Sequence, residues 1–265
     1  MSNNLFRKIS TPGIIFIAVI VSFSSCISIT KSTLREPISR VIDAGDCQIS
    51  SSGAVYMNFF GMIKADFMPS SVKIACKDIV IYCDPLVVED TSKADYIFIT
   101  HNHLDHFSKT DINQLIKPQT VLIAPENITN KYKHVVHHTA KIGAETELEK
   151  IRFKVIASYN LKSKMHTKCD NFVGYVITCD NTRIYIAGDT DFIPEMKDLK
   201  NISVAIVPIG EGKTAMDPES ASEAVNLINP KIAIPVHYYL NKNREQRFLE
   251  KVNKSIEVRL FQDYN

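Results

Sequence analysis

The sequence predicts a mixed α/β (α+β) chain folded as a four-layer αβ/βα sandwich. Three observations predict it. Short apolar or alternating runs of strand length recur from residue 71 onward, interrupted by a few amphipathic stretches of helical period. The second half repeats the style of the first, so two sheets, each covered on its outer face by helices, accommodate the order in one domain of two similar halves. The length of 265 residues, with 45% hydrophobic and 23% charged, is the balance of a globular chain able to bury a large core.

The elements follow in chain order. Ser71 to Cys76 and Asp78 to Cys83 read as a hairpin turning near Lys77-Asp78. Tyr96 to Thr100 is an apolar strand that runs straight into His101. Ser108 to Ile116 reads as a helix capped by Ser108 or Asp111. Val121 to Ala124 is a short buried strand, and Lys150 to Ser158 alternates as a strand. Phe172 to Cys179 and Thr182 to Ala187 form a hairpin across Asp180-Asn181. Ser203 to Ile209 is a buried strand. Pro218 to Ile228 is an amphipathic helix starting at Asp217 or Pro218, with Ala221, Ala224, Val225 and Ile228 inward. Lys231 to Val236 is a buried strand ending at His237. Arg244 to Val252 reads as a helix and Ile256 to Phe261 as a last strand.

The formal net charge is +2, and the two excess charges, Arg7 and Lys8, lie at the N-terminus. The remainder is neutral, which gives no electrostatic reason to expect a nucleic-acid partner. Arg7 and Lys8 precede the apolar run Gly13 to Phe23, too short to span a bilayer comfortably and suited to a signal-peptide core. Ser24 and Ser25 then precede Cys26. Phe-Ser-Ser-Cys resembles a bacterial lipobox, with Phe23 in place of the usual Leu. The expected organisation is a lipoprotein-type signal peptide over 1–25, a polar tether over 26–52 led by a lipidated Cys26, and one folded domain over 53–265. The expected location is the bacterial cell envelope, with the membrane as a partner. Six cysteines are present: Cys26, Cys47, Cys76, Cys83, Cys169 and Cys179. No close cysteine pair suggests a zinc knuckle. Cys76, Cys83 and Cys179 sit in apolar runs and read as small core residues.

Chemistry concentrates in Thr100-His101-Asn102-His103-Leu104-Asp105-His106. Three imidazoles and a carboxylate follow directly on a buried strand, where an α/β site is expected. Imidazole nitrogen and carboxylate oxygen are the ligands zinc takes when thiolate is absent, and manganese and iron accept them too. In an extended segment residues two apart face the same way, so His101 and His103 can share one ion, while Asp105 and His106 can aim at a second.

This HxHxDH pattern resembles the signature of the metallo-β-lactamase superfamily of metal-dependent hydrolases, and further matches follow in order over residues 53–262. Asp84, in Cys83-Asp84-Pro85, resembles the aspartate that supports the metal ligands from behind. Asp189, in Gly188-Asp189-Thr190, resembles the carboxylate that bridges two metals. His237 resembles the last histidine, a ligand of the second metal. Pro208-Ile209-Gly210 and Thr214-Ala215-Met216 resemble a strand end and loop of the branch that holds the ascorbate-phosphate lactonase-like hydrolases. One position departs from the pattern. Where the family supplies another histidine to the first metal, this chain has Ala157-Ser158-Tyr159-Asn160. Asn160 occupies the ligand position, and His166 in the following loop could reach in instead, or contact substrate or act as an acid/base. His134, His137 and His138 read as surface residues.

The resemblance implies hydrolysis assisted by one or two divalent ions, zinc first, with manganese or iron as alternatives. Such ions bring the pKa of water from near 16 towards about 7. His101 and His103, with Asn160 or His166, would hold the first ion. Asp105, His106 and His237 would hold the second, with Asp189 between them. Asp105 would also orient the attacking water. Tyr159, Lys164 and Tyr238 are candidates for contact with a small-molecule ester, lactone or phosphoester. A competing reading is a non-catalytic envelope lipoprotein that holds a metal or ligand without turnover. A redox di-iron role is a third.

Overall fold

The computed structural model describes residues 27–33, 41–61, 63–90, 92–210, 212–240 and 243–261. The expected signal peptide and Cys26 lie outside them. In chain order the strands of the first half are β1 (Ile27–Lys31), β2 (Ile42–Ala44), β3 (Cys47–Ser50), β4 (Val55–Phe59), β5 (Ile63–Met68), β6 (Val72–Cys76), β7 (Ile79–Cys83) and β8 (Tyr96–Phe98). Helix α1 (Lys109–Leu115), β9 (Val121–Ala124), α2 (Glu126–Thr129) and β10 (Val136–Thr139) complete it. The second half holds β11 (Glu145–Glu147), β12 (Arg152–Ala157), β13 (Val173–Cys179), β14 (Thr182–Ile186), β15 (Val204–Pro208), α3 (Pro218–Ile228), β16 (Ile232–Val236), β17 (Tyr238–Tyr239), α4 (Arg244–Lys251) and β18 (Glu257–Val258).

Two seven-stranded sheets form the centre, in the orders β10–β9–β8–β7–β6–β3–β2 and β11–β12–β13–β14–β15–β16–β18. Their facing sides share one core. Phe98 meets Phe153 and Tyr175 edge to face, and the Tyr175 hydroxyl donates to Ile99 O at 2.7 Å across the interface. Strands β8, β15 and β16 are buried along their whole length, as parallel strands covered on both faces must be. Helix α1 packs Ile112 and Leu115 on the outside of the first sheet with Tyr82, Ile97 and Leu122. Helix α3 turns Ala221, Ala224, Val225 and Ile228 inward on the second, a helical stripe. Each fully buried Ile or Val contributes about 1.5–3 kcal/mol relative to exposure. The four expected layers are therefore present.

Caps and turns follow from local chemistry. Ser108 accepts from Asp111 N and caps α1; Asp217 accepts from Ser220 N and caps α3, with Pro218 in its first turn. Lys77 and Asp180 take positive φ at the two hairpin turns.

The tether expected over 26–52 is corrected over its described part. Residues 42–50 pair as a hairpin at the edge of the first sheet, with Ile42, Ala44, Cys47 and Ile49 buried. Residues 27–31 pair with β4 in a small antiparallel sheet, β1–β4–β5–β17. The stretch looks polar as a whole, but its strands bury only alternate residues. Cys76 is likewise more than a small core residue: it faces Cys47 across β3 and β6 and forms a disulfide with it. Cys83 and Cys179 are free and buried, and Cys169 is free and exposed. The last strand is shorter than expected, spanning Glu257–Val258, at the edge beside β16.

Candidate metal centre

The site forms at the C-terminal ends of parallel strands in both large sheets. After β7 comes Asp84, and after β8 come Thr100 and His101. Asp189 follows β14, and His237 stands between β16 and β17. Asp84 (φ 46) and His237 (φ 55) take left-handed backbone, as does His166 (φ 56) in the loop that follows β12. Such conformations are uncommon and cluster at functional sites. Two glycines let the backbone close in. At Gly188 (φ +65) a Cβ would lie 2.9 Å from Val173 O and 3.1 Å from Thr100 Cβ. At Gly210 it would lie 2.5 Å from His237 O.

Asp84 organises the first histidines. It is fully buried, takes the Thr100 N–H at 2.8 Å, and accepts from the Thr100 hydroxyl at 2.6 Å. His106 Nδ1 lies 2.8 Å from the same carboxylate, so the ring donates there and turns Nε2 forward. His101 Nδ1 lies 3.0 Å from Thr100 Oγ1. That hydroxyl already gives its proton to Asp84, so it accepts from His101 and leaves His101 Nε2 as a lone pair. His166 Nδ1 is 3.3 Å from Asp189 O, a carbonyl that can only accept, which leaves its Nε2 free in the same way.

Three overlapping donor groups result: His101, His103 and His166; His101, His106 and Asp189; Asp105, His106 and His237. Within each, the ligand atoms lie within 4.8 Å of one another. Asp189 joins them: its oxygens stand 3.2 Å from His106 Nε2, 3.1 Å from His237 Nε2 and 3.9 Å from His101 Nε2. His166 Nε2 and His103 Nδ1 are 3.0 Å apart. Phe172 packs its ring against His101, His103 and His166, and Phe67 meets His237 edge to face at 4.9 Å.

The donors fit a divalent cation. His101 Nε2 is buried and has no hydrogen-bond partner among the described residues, while the buried His106 Nε2 and Asp189 Oδ1 face each other at 3.2 Å without an aligned hydrogen bond. Unpaired buried polar atoms cost about 1–3 kcal/mol each, and a cation among them removes that cost. The titration pattern agrees. Burial, and then the neighbouring imidazoles, push His101 well below the usual histidine range. Burial also lowers His166. Burial opposes charge on His106 as well, but Asp189, Asp105 and Asp84 outweigh it and raise its pKa. Burial works against charge on Asp105, and His106 and His237 overcome it, so Asp105 stays ionised. Asp189 is held down in the same sense, by His237 and then His106.

Of the two candidates for the first ion's third ligand, His166 is the one whose ring stands against His103. Asn160 lies beside it and donates its N–H to His166 O at 2.7 Å. His166→Ala should therefore lower the metal bound per chain, whereas Asn160→Ala should leave it at the wild-type level; metal content after gel filtration reads the difference. Equal loss in both variants would show that the amide ligates.

Two expected substrate contacts are corrected. Tyr238 is fully buried in β17, paired with Met68, so substrate cannot reach it. The Tyr159 hydroxyl donates to Glu195 at 2.9 Å, and Lys168 lies over its ring; the residue is committed to that contact. Lys164 does line a cavity. His134 is exposed as expected, while His137 and His138 are half-buried on edge strand β10. Sequence reasoning assigned no role to Thr100 or Phe172. Thr100 stood inside the quoted motif, and its position before His101 was the available signal. Phe172 carried none.

A four-layer sandwich with imidazoles and carboxylates converging at its strand ends defines a class, the metal-dependent hydrolases of metallo-β-lactamase fold. The chain belongs to the β-lactamase superfamily domain family, whose model matches residues 67–237. A UPF0173 metal-dependent hydrolase of Bacillus thuringiensis is 31% identical over 69% of this chain and 89% of its own length. A UPF0173 protein of Pyrococcus abyssi is 34% identical over 62% of this chain and 78% of its own. A crystal structure from Parabacteroides distasonis, assigned as a candidate metal-dependent hydrolase, aligns with TM-score 0.68 at 27% identity over 85% of this chain and 98% of its own. The metallo-β-lactamase fold protein YhfI of Bacillus subtilis aligns with TM-score 0.63 at 12% identity over 82% of this chain and 98% of its own, a likeness of fold alone.

Proposed function

We propose that this metal-dependent hydrolase cleaves a small ester, lactone or phosphoester with a pair of divalent ions, zinc before manganese or iron. The observation that carries the reading is the sharing of His101 and of His106 between neighbouring donor groups, with Asp189 in the group that links them. His101, His103 and His166 would hold one ion and Asp105, His106 and His237 the other, with Asp189 between. When bound, such ions supply Lewis acidity and a water acidified towards neutrality. The protein does the rest. Thr100 and Asp84 fix the tautomers and orientations of His101 and His106. Asp105, partly exposed and lining a small cavity with His237, Gly210 and Ala215, orients the attacking water and holds its proton at a carboxylate oxygen. Phe172 and Phe67 limit bulk water around the rings.

Metal removal tests this. Dialysis against dipicolinate should abolish turnover of an ester and phosphodiester panel, and zinc should restore it. It should also lower Tm, because a ligand at about 100-fold its Kd contributes about 2.7 kcal/mol. Full turnover by protein shown to be metal-free would refute the reading.

We further propose export and anchoring through Cys26. The support is Arg7 and Lys8, the apolar run 13–23, and Ser24-Ser25-Cys26. The Cys47–Cys76 disulfide adds to it, since such bonds persist in oxidising compartments. Cys26→Ser should move the protein from the membrane fraction to the soluble fraction. Unchanged membrane retention would rule out lipid at that residue.

A further inference from the structure

We infer that the large cavity beside the metal centre binds an anionic substituent of the substrate, a carboxylate or phosphate set apart from the bond that is cleaved. The inference rests on the hydrolase reading above and deepens it. The cavity measures about 810 Å³ and shares Gly212 and Ala215 with the small cavity that Asp105 and His237 line. A substrate can therefore present its scissile group to the metal centre and extend the remainder into the larger space.

Three lysines ring that space: Lys162, Lys164 and Lys213. Among the described residues none of them meets a carboxylate within ion-pair distance, unlike Lys150 or Lys168 elsewhere on the surface. Two carboxylates also line the cavity, and both already hold backbone N–H groups. Asp191 accepts from Leu161 N at 2.7 Å, and Asp217 accepts from Ser220 N at 2.7 Å as the cap of α3. Asn160, 6% exposed, lines the same cavity, and its Nδ2 is buried with no acceptor among the described residues. A substrate oxygen reaching it would satisfy that donor. Met165 and Phe192 add an apolar wall, so the group carried into the cavity is an anion on a short apolar frame.

The test uses the zinc-loaded full chain and three matched acetate esters. These are methyl para-acetoxybenzoate, which is neutral, para-acetoxybenzoate, and para-acetoxyphenyl phosphate, each normalised to its uncatalysed rate. Binding of para-hydroxybenzoate and of its methyl ester is followed by calorimetry. Wild type should prefer an anionic ester by about tenfold in kcat/KM, the scale of three modest exposed ion pairs. The preference should shrink with added salt, and the more favoured arm identifies carboxylate or phosphate. The combined variant Lys162→Ala, Lys164→Ala, Lys213→Ala should bring the ratio near parity. The matching triple lysine-to-arginine variant should retain it. Equal rates for neutral and anionic esters in wild type, or a preference untouched by the alanine variant, would overturn the inference and leave the hydrolase reading standing. No turnover of any ester, with product binding that still depends on the lysines, would sink the ester-hydrolase reading and keep the anion site. Binding indifferent to the lysines would sink the site.

Discussion

Asp105→Ala should lower kcat/KM by about 10²–10⁴-fold, the span of a lost acid/base group, while the ion at His101, His103 and His166 stays bound. The geometry gives both halves of this result. Asp105 belongs to the donor group of His106 and His237 and not to the group built from the other three histidines. It also lines the small cavity beside His237, where substrate and water would reach it. Its Oδ2 lies 3.2 Å from His237 Nε2, and the loss leaves that ring to Asp189. Asp105→Asn sharpens the experiment. Asparagine keeps the size and one oxygen but cannot take a proton, so it should stay within about tenfold of the alanine variant on the same grounds. Wild-type kcat/KM in Asp105→Asn would show that only bulk is needed there. Paired measurement of turnover and metal stoichiometry separates the two causes of loss.

Joint replacement of Cys47 and Cys76 by alanine should cost about 3–4 kcal/mol, the loop-closure value for a bridge of this span. The bridge joins residues 29 apart in sequence and ties the edge hairpin of the first sheet to β6. For a chain of this length that loss corresponds to a fall in Tm of about 10 °C. The double variant is the clean one. Cys179 Sγ lies within 4.8 Å of both sulfurs, so a single replacement leaves it free to pair with the survivor. Calorimetry of wild type and double variant reads the effect. A Tm within a degree or two of wild type would show that the hairpin is held by its strand pairing and buried side chains alone.

Much of the fold was legible because its signals are local. Strand runs such as 72–76 and 79–83, or the capped stripe of α3, declare themselves through period and turn chemistry. The candidate centre was legible for a related reason: the donors of one loop are adjacent in sequence, and Asp189 and His237 each follow an apolar strand closely. What stayed hidden depends on distant contacts. Residues 42–50 read as a tether because only alternate positions are apolar, and their burial needs β6 as a partner. The placement of His166 beside His103 depends on a loop reversal, with His166 at positive φ and its carbonyl held by Asn160 N. Tyr159 and Tyr238 sit next to motif residues in sequence, yet their side chains point into Glu195 and the interior. Proximity along the chain does not fix direction in space.

His237 is the single residue between β16 of a large sheet and β17 of the small one, and β17 is hydrogen-bonded to β5. The same residue thus joins the two sheets and belongs to a candidate donor group. Capture of a cation at its ring would then be linked to the seating of the four-stranded ribbon: whatever one contributed to the other would be returned in equal measure. Mutations in the ribbon, far from any ligand atom, would tune the affinity of the centre through that joint.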